Sequence, residues 1–181
     1  MGVAERKNRQ RTERETRIVD TARLIAEREG WNAVTIRRLA QEIEYSQPVL
    51  YSHFANRDAI VAAVALQGFR DLGEALRAGA GLDAVARAYL TFARDQAAVY
   101  QAMFTLPLGL TFADESSRPE LKQAFAVLQA ALPAGTADPA TATELLWAGL
   151  HGLAELTRYN RLRPDAGEAR LARLLQAFGN N

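Results

Sequence analysis

Apolar residues recur along this chain at spacings of three and four, and almost nowhere alternate one by one. That is the period of helices packed by one face, and it argues against strands. Ile18, Ala22, Ile25 and Ala26, with Val19 beside them, form one such stripe and predict a helix from about Arg11 to Glu29. Gly30 stops it, and Trp31 and Val34 are placed to plug a small core. A long helix is predicted from Arg57 to about Ala78, carrying Ile60, Val61, Val64, Leu66, Phe69 and Leu72. After the break Gly79-Ala80-Gly81, a helix from Asp83 to about Ala97 presents Val85, Tyr89, Phe92 and Ala93. A short helical piece follows over Val99 to Phe104, then an irregular apolar stretch through Phe112, interrupted by Pro107 and Gly109. Pro119 to Ala131 is the next helix. Asp138-Pro139 starts another, a cap followed by proline at the first position, running to about Leu162. Pro164-Asp165 starts the last, ending near Phe178.

The chain is therefore expected to be all-α, and its 181 residues suit one or two small domains. Apolar residues make up 49% of it, enough for a large core. Net charge is only +1, so the whole is no polycation. The basic charge is local: residues 1–17 hold six Lys and Arg against three Glu, a net of +3. An exposed basic arm suits phosphates; a solvated tail is the alternative. With no cysteine there is no disulfide, thiolate nucleophile or thiolate metal site, which fits a cytoplasmic protein. The charged N-terminus does not read as a signal peptide, and no apolar run approaches the roughly 20 residues of a membrane span.

Residues 35–58, TIRRLAQEIEYSQPVLYSHFANRD, carry most of the chemistry. Thr35 can cap a short helix with Arg37 and Arg38 at its start. A tight polar break at Glu44-Tyr45-Ser46 leads to a second short helix, about Gln47 to His53, with Gln, Val, Tyr, Ser and His facing outward. Two short helices joined by such a turn form a helix-turn-helix, and the second has the size to enter a DNA major groove.

The string Thr35-Ile36-x-x-Leu39-Ala40, then Ser46-x-x-x-Leu50-Tyr51-x-His53-Phe54-x-x-Arg57-Asp58, resembles the TetR-type family of bacterial transcriptional repressors. The preceding Glu29-Gly30-Trp31 matches that family's first helix and its glycine stop. One departure stands out: Glu44 occupies the place of the family's usual glycine. A side chain in the left-handed conformation costs about 1–2 kcal/mol, so either Glu44 accepts that strain or the turn is built differently. Trp147-x-x-x-His151-Gly152 resembles a signature of one subgroup of the family's C-terminal domains. The resemblance implies a helix-turn-helix DNA-binding domain over residues 1–58 and a helical effector-binding and dimerisation domain over 59–181.

Carried over residue by residue, the resemblance implies that the Thr35 hydroxyl and its helix start meet a phosphate. Tyr51, His53 and Arg57 are expected near the DNA backbone; Gln47, Pro48 and Val49, which open the second helix, are the candidates for base edges, and Arg37 is a further candidate for DNA contact. Gln47 can pair with adenine, while Pro48 and Val49 can pack on a thymine methyl. Duller readings stand beside these: Thr35 as a cap alone, Pro48 as a first-turn residue, His53 as a structural hydrogen-bonder, Arg37 as solvated. Leu50 and Phe54 read as core.

In the larger domain, Tyr89, Phe92, Met103, Phe104, Phe112, Trp147 and His151 can line an apolar cavity, or be ordinary core. Few charges lie among them, which favours a small, mostly apolar effector. Leu150, Leu153, Leu171, Leu174 and Leu175, with the small Ala148, Gly149 and Gly152, suit a homodimer through a four-helix bundle of the last two helices. The resemblance further implies a palindromic operator on double-stranded DNA, with the helix from Arg57 as the lever by which ligand releases it. No catalytic residue, metal or cofactor is expected, since the two histidines fall in separate domains and no carboxylate pair stands out. The rival reading is a helical interaction or small-molecule-binding module without DNA binding.

Overall fold

The computed structural model describes residues 2–106 and 118–179. Among these the regular elements are all helical, as expected: α1 Val3–Glu29, α2 Ile36–Glu42, α3 Gln47–His53, α4 Arg57–Arg77, α5 Gly81–Asp95, α6 Ala97–Phe104, α7 Pro119–Ala130, α8 Pro139–Arg158 and α9 Gly167–Gly179. Short 3-10 turns lie at Trp31–Ala33 and Pro164–Ala166. No described helix is long and apolar enough to cross a membrane.

The apolar stripe predicts α1 to start near Arg11, yet it begins at Val3. The added turns are polar and rest on local pairs: Glu5 accepts the Gly2 N–H at 2.7 Å, and Arg9–Glu13 and Arg11–Glu15 lie at 3.8 and 2.8 Å. Such pairs, one turn apart, sustain a helix that buries nothing. At the other end of the chain α8 stops at Arg158, short of Leu162, and Asn160 turns the chain away at φ 54°. Phe112 and most of the predicted irregular stretch lie outside the described residues.

The chain packs as two compact units. The first comprises Met1–Gly68 together with Gln96–Leu110. Its core is the predicted stripe of α1 with Trp31, Val34, Leu39, Ile43 and Leu50, joined by Ile60, Val61 and Val64 of α4, all buried. The spacing of apolar residues does not reveal that α6 belongs here. Three side chains of the α1 region hold it. The Trp31 indole N–H donates to the Ala98 carbonyl at 2.8 Å. Glu27 accepts the backbone N–H groups of Ala98 and Val99 at 3.1 and 3.2 Å. Arg23 donates to Gln96 at 3.1 Å. Gln96 makes no side-chain cap bond, so Glu27 satisfies the free N–H groups that every helix start leaves. Gly68 completes the fit: a Cβ there would come within 2.4 Å of Val99.

The second unit comprises Phe69–Asp95 and Thr111–Asn181. Here α8 is central, packing on α5, α7 and α9. Asp138 caps it by accepting the Thr141 N–H at 3.3 Å, with Pro139 in the first turn. Leu146 and Leu150 face inward, and Gly149 lets α9 approach, since a Cβ would stand 2.6 Å from Leu174. Arg87 clasps Asp83 and Glu168 at 2.8 and 2.7 Å, tying α5 to α9.

Candidate nucleic-acid interface

The turn between α2 and α3 sets the aim of α3. Thr35 is extended and caps α2, its Oγ1 accepting the Arg38 N–H at 3.1 Å. The hydroxyl hydrogen stays available to donate outward. At the far end of α2, Glu44 takes φ 58° and the Tyr45 N–H bonds the Ala40 carbonyl at 2.9 Å. This is the closing bond of a Schellman motif, whose left-handed position glycine usually fills. Glu44 therefore accepts the backbone strain, and the turn keeps its ordinary form.

Leu50 roots α3 in the core at 0% exposure. Gln47, Pro48 and Ser52 are exposed, Val49 is half-buried, and Tyr51 is 54% exposed. Gln47, Pro48 and Tyr51 share one bare side of the helix, because one turn separates 47 and 48 from 51. The hydroxyl of Ser52 turns back to the Val49 carbonyl at 2.7 Å.

The neighbouring cations divide into two groups. Arg38 is committed to Glu29 and Glu42 at 3.3 and 2.9 Å. Arg37 is exposed and has no ion pair among the described residues. Arg57 donates through Nε to the Val34 carbonyl and through Nη2 to the Trp31 carbonyl, both at 2.7 Å. His53, with its ring 7% exposed, faces Glu15 at 3.3 Å through Nδ1. Arg11, and after it His53, hold the Glu15 carboxyl below its usual range against the opposing effect of burial, so it is ionised at neutral pH. His53 and Arg57 thus have protein partners that the local sequence pattern does not specify.

Tyr45 is a residue that the pattern does not single out. Arg17 lies over its ring at 5.7 Å, and Gln10, Glu13, Arg14, Arg17 and Tyr45 line a concavity of about 300 Å³ beside the start of α3. The signal is present in the spacing of the basic residues, but only once the helix is carried back past Arg11.

Of the candidate effector residues, the second unit joins two directly: the Trp147 indole donates to the Tyr89 hydroxyl at 3.1 Å. Tyr89 and Phe92 are buried, and Trp147 and His151 half-buried. Burial pushes the His151 imidazole below its ordinary range, only partly opposed by Glu155. In the first unit Met103 is buried and Phe104 packs on Tyr100 with ring centres 4.8 Å apart. Phe112 lies outside the described residues.

Residues 18–64 match the family described as bacterial regulatory proteins, tetR family, and residues 82–178 match the tetracyclin repressor-like C-terminal domain. An uncharacterized HTH-type transcriptional regulator of Mycobacterium tuberculosis, Rv0681, is 35% identical over 99 residues, 51% of this chain and 45% of that protein. The chain spans about half the length of the curated relatives it matches, 45% and 48%. Among solved structures, the regulatory protein SCO4313 shares the fold with a TM-score of 0.74, at 24% identity over 93% of this chain and 98% of that one. The multidrug binding protein EbrR, complexed with imidazole, has a TM-score of 0.60 and 26% identity over 90% of this chain and 89% of its own.

Proposed function

The chain belongs to the tetR family of bacterial regulatory proteins, and from that premise we propose that it is a cytoplasmic DNA-binding transcriptional regulator, a ligand-released repressor. It binds a palindromic operator as a homodimer, with recognition helices about 34–36 Å apart. One observation carries the reading: α3 is rooted by Leu50 and bare on the side of Gln47, Pro48 and Tyr51. Gln47, Pro48 and Val49 read base edges, and Thr35, Arg37 and Tyr51 fix the register on phosphates. Arg57, whose Nη1 lies 3.4 Å from Asp58, turns that edge from the carboxylate to a phosphate, while His53 serves by holding α3 against α1.

Residues 1–58 supply the DNA contact and residues 59–181 the sensing and dimer roles. The effector is small and mostly apolar, held among Tyr89, Phe92, Trp147 and His151. EbrR is a multidrug binding protein, which supports a small-molecule effector here. Met103 and Phe104 enter as packing residues. The dimer forms through α8 and α9, and α4 transmits the ligand's effect. Coupling of about 1–3 kcal/mol would weaken DNA binding roughly 5–150-fold.

Selection of duplexes from a random pool, followed by binding titrations, tests the reading. The wild type should enrich a palindrome and lose affinity as salt rises. Thr35→Ala and Tyr51→Phe should each bind it about tenfold more weakly, the scale of one hydrogen bond to a charged group. Undiminished affinity in both variants removes the contact assignment, and failure to enrich any duplex removes DNA binding itself.

A further inference from the structure

The first half of α1 is unusual for a helix. No side chain described before Ile18 is buried, so about four turns stand clear of the core with a polar surface all round. The acids along it are engaged: Glu5 with the Gly2 N–H, Glu13 with Arg9, Glu15 with Arg11 and His53. Arg6, Lys7 and Arg14 are exposed and have no ion pair among the described residues.

At about 100° per residue, Arg6, Lys7, Gln10, Arg14 and Arg17 fall within an arc of roughly 100°, and the stripe runs about 16 Å along the axis. Arg11 borders it on one side and Glu13, bound to Arg9, on the other. The stripe ends at Arg17 over Tyr45, two residues ahead of Gln47. It therefore runs along the side of α1 that meets the start of α3. Duplex DNA carries one charge per about 1.7 Å of axis, so a row of this length spans several phosphates.

We propose that this stripe is a phosphate rail, formed by Arg6, Lys7, Arg14 and Arg17, that binds duplex DNA flanking the half-site addressed by α3. The proposal rests on the DNA-binding reading above and adds an outer, sequence-independent part to the footprint. The concavity of Gln10, Glu13, Arg14, Arg17 and Tyr45 is its inner end, where a phosphate meets two guanidinium groups beside the Glu13 carboxylate, which Arg9 pairs at 3.8 Å.

The test uses the full chain and a duplex selected from a random pool, in two lengths: the enriched palindrome alone, and the same palindrome with ten extra base pairs on each side. R6Q/K7Q/R14Q should bind the short duplex as the wild type does and the long one at least tenfold more weakly. Its slope of log affinity against log salt on the long duplex should fall by about 2–3, near 0.9 for each phosphate no longer neutralised. R9Q, one charge removed outside the stripe, beyond Glu13, should match the wild type on both. Circular dichroism checks that the triple variant is folded, as its exposed positions imply. Equal affinity of triple variant and wild type on the long duplex overturns the rail, and so does an equal loss on both lengths. A wild type that enriches no duplex overturns the DNA-binding reading and the rail with it.

Discussion

Glu44 holds a conformation that ordinarily belongs to glycine, at φ 58°, with the carboxylate exposed. Its strain is a local debt against the fold of the helix-turn-helix. Glu44→Gly should relieve it and stabilise the protein by about 1 kcal/mol, after allowing for glycine's greater freedom in the unfolded chain. Calorimetry should show a melting temperature about 2–4 °C higher. A lower one would mean that the carboxylate makes a contribution larger than the strain. His151 offers a second test at this scale. Its folded-state affinity for a proton is lowered by burial, against the pull of Glu155. As pH falls from the ordinary imidazole range near 6.5, the unfolded chain takes up the proton first. Stability should therefore be full above that range and decline below it, until the lowered folded value is passed. His151→Gln should flatten this decline between about pH 7 and 5. Denaturant titrations across that window check it, and identical pH profiles for the two proteins would sink it.

Among the elements, α6 shows best what sequence spacing conceals. Its helical period is plain over Val99 to Phe104, but its partner is not, because the bonds that place it come from Arg23, Glu27 and Trp31 about 70 residues earlier. Glu27→Ala should leave the Ala98 and Val99 N–H groups without their acceptor. The cost should be about 1–3 kcal/mol, the range for a buried donor left without its partner. Hydrogen exchange at those two amides should accelerate, and unchanged protection would show that another group caps α6. Helices α2, α3 and α8 are legible because their starts are written in caps and prolines: Thr35, Pro48, Asp138-Pro139. The early start of α1 is not, since it rests on ion pairs rather than on an apolar stripe. The candidate interface follows the same rule. Leu50 inward and Tyr51 outward come directly from the pattern, whereas the bonds that occupy His53 and Arg57 depend on Glu15, Trp31 and Val34, which spacing cannot place beside them.

For the molecule as a whole, the outer side of α8 bears on assembly. Leu145, Leu156 and Tyr159 are 61%, 46% and 53% exposed, and a Cβ on Gly152 would meet nothing. These positions recur at helical spacing on one side, an apolar surface suited to a second copy. Leu156→Glu should leave the subunit folded, because the residue is outside its core, but shift sedimentation equilibrium from dimer to monomer. A dimer that persists in both Leu156→Glu and Leu145→Glu would place the interface elsewhere. The attachment of α6 carries a further consequence. Because Gln96–Leu110 completes the unit begun by Met1–Gly68, that unit is discontinuous along the chain. On the ribosome its first 68 residues emerge well before the segment that satisfies Trp31 and Glu27. The helix-turn-helix must then wait, partly unsupported, until α5 and α6 have been synthesised and the intervening chain has closed on itself. A gene fragment ending after α4 would freeze it in that unfinished state, exposed to proteolysis and to association through the surface that α6 covers.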